Sequence, residues 1–263
     1  MPRTILLLGA LSWGIPLCAQ GAPGSMAPAY TAATIVNSAT NSADGLAPNT
    51  IASIYGTNLT AGTTASVPLS NKGGEMPTEL GNVHVYVGGL PAPLYFVSPQ
   101  QINFVIPADY RPGEVDVFVA IDGLAGPQAR ITIQTAGPGL FQSRPGVISA
   151  THPDGSLVTK THPAHHGETV TLLGTGFGAT NPAVTTGFAS STLAQITDLS
   201  EFRILLNGVS LPASSVLYAG VAPYSPGVYW ATFKLPKTGA ANPALQIHIG
   251  AHHSQAGLKL PVQ

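Results

Sequence analysis

Seven of the eight histidines fall in the second half of the chain, and they are the first residues whose type could do chemistry. His152, His162, His165 and His166 form one group, and His248, His252 and His253 another. Imidazole binds zinc, and three histidines can hold a metal with one position open for catalysis. The spacing H-x-x-H-H is not a helical zinc motif, and H-E-x-x-H does not occur. The prolines around the first group also deny it a regular frame. Both groups are expected to be surface histidines, with His252-His253 in a hairpin loop and His248 facing outward beside it. No metal site is predicted.

Asp154-Gly155-Ser156, close to His152, has the residue types of an acid, a nucleophile and a base. Pro-Asp-Gly between two apolar runs is a turn signal, however, and no G-x-S-x-G occurs. Gly174-Thr175-Gly176-Phe177-Gly178-Ala179 fits the dinucleotide pattern G-x-G-x-x-[G/A]. That pattern must open a helix whose N-terminus meets the pyrophosphate; here Asn181-Pro182 follows at once, so a turn is expected. Glycoside hydrolysis needs two carboxylates converging in a cleft, and the eleven acids are scattered. Asp116 and Arg130 read as an outward cross-strand pair. No catalytic residue and no cofactor are predicted.

Trp230 is the one tryptophan beyond the first nineteen residues. Strand side chains alternate, so Tyr229, Ala231 and Phe233 share one face of YWATFK while Trp230, Thr232 and Lys234 share the other. An outward tryptophan can stack on a sugar ring, anchor a partner protein, or pack on a neighbouring domain. Trp230, Thr232, Lys234 and Gln101, the repeat counterpart of Trp230, are the candidate contact residues.

The elements that position these residues must be strands. Charged residues make up 8% of the 263, and Gly and Pro number 30 and 24, yet 44% of residues are hydrophobic. That hydrophobic content excludes disorder. A net charge of −1 excludes binding to nucleic acid or membrane through a basic patch. Arg3, the apolar run Ile5 to Ile15 and the small residues before Gln20 read as an export signal over 1–19. The run is shorter than the roughly 20 residues a membrane span needs, so no membrane insertion is expected after its removal. Cys18, the only cysteine, lies inside it. A mature chain without cysteine has no disulfide and must be held by its cores. Residues 20–32 read as a flexible lead-in.

Beyond that, short β-runs alternate with turn residues every 8–12 positions, and they repeat. TIASIYGTNL (50–59) is matched by TVTLLGTGF (169–177), and VHVYVGGLPAPLYF (83–96) by FRILLNGVSLPASSVLY (202–218). QQINFVIP (100–107) is matched by YWATFKLP (229–236), and two alternating strands are expected in each of 114–134 and 244–262. Gly88-Gly89 and Asn207-Gly208 suit two-residue hairpin turns. The least regular stretch, 187–201, has room for a helical turn. The fold class read from this is all-β: two tandem immunoglobulin-like β-sandwiches, 33–136 and 137–263, joined by a link too short for free tumbling.

GLAPNTIASIYGTNL (45–59), LPAPLYFVSPQQINFVIP (90–107), PAHHGETVTLLGTGFG (163–178) and VLYAGVAPYSPGVYWATFKLP (216–236) carry a family resemblance. The chain resembles a secreted domain family of acidobacterial genomes, often the C-terminal part of larger exported proteins, with no established activity. Both halves also resemble the IPT/TIG type of immunoglobulin-like domain. The family usually has asparagine where Thr232 stands. The resemblance implies a non-enzymatic, secreted or cell-surface recognition or spacer module, with an extracellular protein or polysaccharide as partner. Two other readings stand beside it: a hydrolase or carbohydrate-active enzyme with a site at the domain junction, and a purely structural terminal domain. Convergent histidine and acid side chains in a junction pocket would favour the enzyme; a flat, polar junction would favour binding.

Overall fold

The structure, a computed structural model, describes residues 27–70, 74–189 and 191–263. The segment expected to be an export signal and most of the expected lead-in lie outside the described residues. The first half carries β1 (Ile35–Asn37), β2 (Ile51–Tyr55), β3 (Ala65–Ser66), β4 (Val83–Val87), β5 (Leu90–Pro91), β6 (Leu94–Val97), β7 (Gln101–Val105), β8 (Gly113–Ile121), β9 (Leu124–Ala125) and β10 (Ala129–Ile133). The second half begins with β11 (Gly139–Leu140), β12 (Gln142–Arg144), β13 (Val147–Ile148), β14 (Ala150–Thr151), β15 (Thr169–Thr175), β16 (Thr180–Asn181) and β17 (Ala194–Ile196). It ends with β18 (Phe202–Leu206), β19 (Val209–Ser210), β20 (Val216–Val221), β21 (Tyr229–Lys234), β22 (Leu245–Ile249) and β23 (His252–His253). The helical pieces among the described residues are three-residue 3₁₀ turns, one of which, Leu199–Glu201, falls at the end of the irregular stretch 187–201.

The architecture is all-β, built from antiparallel sheets. In the first half they run β1-β2-β7-β6-β3 and β10-β8-β4-β5. In the second, β11-β15-β21-β20-β17-β16 faces β19-β18-β22-β23. The order β2-β7-β6 thus recurs as β15-β21-β20, and β8-β4-β5 as β22-β18-β19. The register irregularity between Leu94 and Phe96 recurs between Val216 and Tyr218. Both hairpin turns are two residues long with positive φ throughout: 51° and 83° at Gly88-Gly89, 48° and 80° at Asn207-Gly208. That geometry matches the right-handed twist of the strands they join.

Alternation sets the cores. Val83, Val85, Val87, Ile102, Phe104, Val117 and Val119 are buried in the first-half core. Phe202, Ile204, Tyr229, Ala231, Phe233, Leu245 and Ile247 are buried in the second. Outward, Arg130 meets Asp116 in a bidentate pair at 2.9 and 3.1 Å on directly paired strand positions. Such an exposed pair contributes under about 1 kcal/mol.

Three local expectations change. Gln100, which alternation with Ile102, Phe104 and Ile106 puts on the core face, is exposed, because β7 begins one residue later, after the turn that Ser98 closes onto Gln101. The second strand expected over 244–262 is reduced to isolated bridges of Lys259 with Ala244 and Val147 and of Val262 with Ala164. Gly257, at φ 80°, turns the chain there, and Pro261 has no N–H to give a ladder. His252 and His253 are strand residues rather than loop residues, since Gly250 and Ala251 make the turn.

Candidate functional site

The two halves meet at a junction built by glycines and buried side-chain hydrogen bonds. Thr175, at the end of β15, is fully buried; its Oγ1 accepts from the Ile51 N–H at 2.8 Å and donates to the Gly227 carbonyl at 2.6 Å. Asn37 Nδ2 donates to the carbonyls of Gly45 and Gly137 at 3.1 and 2.9 Å. Tyr229 OH donates to the Gly178 carbonyl at 2.6 Å and accepts from Asn49 Nδ2 at 3.3 Å. Burial raises the Tyr229 hydroxyl far above its ordinary pKa, so it stays a neutral donor. A third apolar cluster joins Ile51, Met76, Tyr95 and Val105 of the first half to Ala222 and Val228 of the second.

The G-x-G-x-x-A stretch belongs to this junction. No helix follows it. Gly137 donates its N–H to the Gly176 carbonyl at 2.7 Å. A Cβ on Gly176 would lie 2.3 Å from the Gly137 oxygen, and one on Gly178 would lie 2.6 Å from the Thr135 oxygen. The glycines let the connecting segment lie flat against the end of β15.

One edge of the junction opens into a cleft of about 350 Å³ between the loop after β1, the connecting segment and the β22–β23 hairpin. Thr40, Ser42, Asp44, Gln134, His252, His253 and Gln255 line it. Its walls are tied together. Gln255 exchanges hydrogen bonds with the Leu140 backbone, at 3.0 Å to Oε1 and 2.6 Å from Nε2, and its Nε2 also donates to the Ala39 carbonyl at 3.0 Å. His252 Nε2 lies 3.2 Å from Thr135 Oγ1. The loop is shaped by local turns, with Thr40 Oγ1 accepting from the Ser42 N–H at 3.2 Å and Ser42 Oγ accepting from the Asp44 N–H at 3.1 Å. The His253 ring packs on His248 with centroids 4.0 Å apart; burial, and then the His253 ring, lower the His248 pKa.

Two histidines, His252 and His253, and one acid, Asp44, line the same junction cleft. Asp44 is the one carboxylate in the lining, whereas glycoside hydrolysis uses two. Ser42 Oγ bonds the loop's own backbone, not an imidazole. The lining is a set of hydroxyl, amide, imidazole and carboxylate groups suited to hydrogen-bonding a polyhydroxylated ligand.

The candidate contact residues from the sequence do not form one site. Trp230 faces away from the second core, as alternation requires, and packs against the third cluster. Thr232 Oγ1 lies 2.9 Å from Thr171 Oγ1, and Lys234 is exposed at the end of β21. Gln101 Nε2 donates to Asn103 Oδ1 at 2.8 Å, at the opposite end of β7 from the Val105 of that cluster, about 13 Å away along the strand. Sequence reasoning missed Thr40, Ser42, Asp44, Gln134 and Gln255. The polar run NSATNSADG (37–45) was the available signal.

Among the described residues, no group of three His, Cys, Asp or Glu side chains is placed to hold a metal ion. His152 is buried rather than a surface histidine, because Glu168 pulls its ring inward: Nδ1 bonds Glu168 Oε1, while Glu168 Oε2 accepts from the His165 N–H at 2.7 Å. The His162 ring stacks on it at 4.3 Å. Asp154 Oδ1 accepts from the N–H and hydroxyl of Ser156 at 2.9 and 2.7 Å, which makes Asp154-Gly155-Ser156 a turn.

Burial opposes charge on His152, but the bonds to Glu168 and to the His162 carbonyl outweigh it and raise the pKa above 6.5. For Glu168 burial is likewise outweighed, by the His165 N–H and His152, and its pKa falls below 4.5. A raised histidine gives stability that is complete below 6.5 and lost as pH climbs through the folded value; a depressed carboxylate gives stability present above 4.5 and lost as pH falls through its folded value. The pair therefore stabilises most between those two values. Urea midpoints measured from pH 4 to pH 9 should fall on both sides of that window, and His152→Gln should remove the fall on the alkaline side. An unchanged alkaline limb in that variant would reject the assignment.

Comparison with known proteins bears on the fold. A family model described as the IPT/TIG domain matches residues 36–142. The fold is of this immunoglobulin-like type. No curated protein matches the chain by sequence. Among solved structures, the chain is similar to SGBP-B of the Bacteroides ovatus mixed-linkage glucan utilization locus, in complex with mixed-linkage heptasaccharide. The two are 12% identical with a TM-score of 0.31, over 83% of this chain and 43% of that one. The chain thus spans less than half the length of that protein. It is also similar to FdeC, an Escherichia coli adhesin (13% identity, TM-score 0.25, 90% of this chain and 66% of that one). A third similar structure is the S-layer protein SbsC, domains 5–6 (10% identity, TM-score 0.26, 89% and 98% coverage).

Proposed function

We propose that the chain is a non-enzymatic, extracytoplasmic recognition module of the secreted C-terminal family it resembles. Two tandem immunoglobulin-like sandwiches, 33–136 and 137–263, are joined into one rigid body that holds a polysaccharide in the junction cleft. The observation that carries this reading is the cleft itself. Gln255 ties its walls to the connecting segment and to the loop after β1, so the site is preformed and little conformational entropy is lost on binding. Its hydroxyl, amide and imidazole lining matches sugar hydroxyls, while a single carboxylate leaves no acid–base pair for cleavage. Among the described residues no helix is long and apolar enough to cross a membrane.

The test is a titration of the mature protein with neutral oligosaccharides of cellulose, xylan, mannan and galactan type. The histidine ring resonances and the Trp230 emission are followed, and the sugars are checked for cleavage. The expected result is a saturable shift of the His252 and His253 signals with intact sugar recovered. His253→Ala should weaken binding about tenfold, as the loss of one hydrogen-bonding side chain does. A silent panel would reject the saccharide ligand, and released product would reject the non-enzymatic reading.

A further inference from the structure

A second cleft, of about 300 Å³, lies away from the junction and is lined by Ser143, Arg144, Leu157, Thr159, Lys160 and Thr161. In a chain with only ten lysines and arginines, two face this one concavity, and no acidic residue lines it. Neither has an ion pair among the described residues, whereas Arg130 is held by Asp116 and Glu114. The carboxylates of the adjoining loops are already engaged, Asp154 by Ser156 and Glu168 by His152. Arg144 sits at a register irregularity of the β12–β13 hairpin, and Gln142 Oε1 fixes the turn by accepting from the Gly146 N–H at 2.7 Å. A bulge of this kind re-aims the side chain it carries.

The hydroxyls complete the donor set. Thr159 Oγ1 accepts from the His162 N–H at 3.0 Å and lies 3.2 Å from Thr161 Oγ1. The two hydroxyls bring two hydrogens, and only one can lie between them, so one remains to donate outward. Guanidinium, ammonium and hydroxyl donors around one concavity are the groups that bind an oxyanion. Leu157, 55% exposed, adds an apolar surface that the C–H face of a sugar ring can cover.

We propose that this cleft is an anion site, and that it takes one carboxylate, sulfate or phosphate group of an acidic polysaccharide. The site stands on its own geometry; the polysaccharide as source rests on the reading of the chain as a recognition module. The experiment is an amide NMR titration of the mature protein at constant ionic strength. Its arms are sodium sulfate, trigalacturonate and neutral maltotriose.

Trigalacturonate should shift the amides of Ser143, Arg144, Thr159, Lys160 and Thr161 while those of His252 to Gln255 stay still, which separates this site from the junction. Arg144→Gln and Lys160→Gln should each weaken binding about three- to fivefold, as the loss of one exposed charge contact does. The double variant should weaken binding about nine- to twenty-five-fold, and Lys237→Gln should leave it unchanged. Shifts spread over the whole surface, or binding undiminished in the double variant, would overturn the site. Sulfate binding as tightly as trigalacturonate would overturn the polysaccharide source and leave a site for a free ion.

Discussion

Phe104→Ala and Phe233→Ala are each expected to lower the free energy of unfolding by about 3–5 kcal/mol, the cost of a large cavity in a packed core. Both rings are fully buried, and they occupy equivalent places, Phe104 opposite Leu94 on β6 and Phe233 opposite Val216 on β20. The shape of the transition is as informative as its midpoint. Sandwiches joined by a loose linker would unfold one at a time, and each substitution would shift only its own step. Here the junction buries Ile51, Tyr95 and Val105 against Ala222 and Val228. The Ile51 N–H donates to Thr175 Oγ1 of the other half at 2.8 Å. Unfolding one half would expose that cluster and strand these groups in the other, so a single cooperative transition is expected in all three proteins. Calorimetry of wild type and the two variants checks it. Two resolved steps, only one of which moves in Phe233→Ala, would show that the halves are energetically separate.

Much of this frame is legible in the sequence because strand alternation is strict where one face is buried. VHVYV and YWATFK assign their own core faces, and Gly-Gly and Asn-Gly declare their turns. The site is less legible. Asp44, Gln134, Gln255 and the His252–His253 pair come from three separate segments, and only the packing of one half on the other brings them together. Trp230 shows the same limit from the other side. Its outward direction follows from period two, but whether an outward face meets solvent or a neighbouring sheet is a tertiary fact; here it packs on the apolar cluster that joins the two halves. His152 looked like a surface histidine because its partner Glu168 lies sixteen residues away, across a loop whose path no local pattern gives.

Gly176→Ala is the sharpest probe of whether the junction is the functional element. At φ +75° a Cβ costs about 1–2 kcal/mol in backbone conformation alone. Added to that, the new carbon would lie 2.3 Å from the Gly137 oxygen and 3.0 Å from Thr50 Oγ1, so the connecting segment must shift, at about 1–3 kcal/mol for such overpacking. Gly155→Ala separates the two contributions, because Gly155 has a similar φ of 85° with nothing within 4 Å of its Cβ position. Gly155→Ala should show only the backbone cost and leave the junction cleft unchanged. Gly176→Ala should lose more stability and also weaken any ligand of the cleft, because Gly137 and Pro138 line it and Gln255 is bonded to Leu140 just beyond them. Chemical denaturation together with the His252 and His253 ring resonances reads both effects. Equal destabilisation by the two substitutions, with the histidine signals unmoved in Gly176→Ala, would mean that the connecting segment yields freely and the cleft is not held by the glycines beneath it.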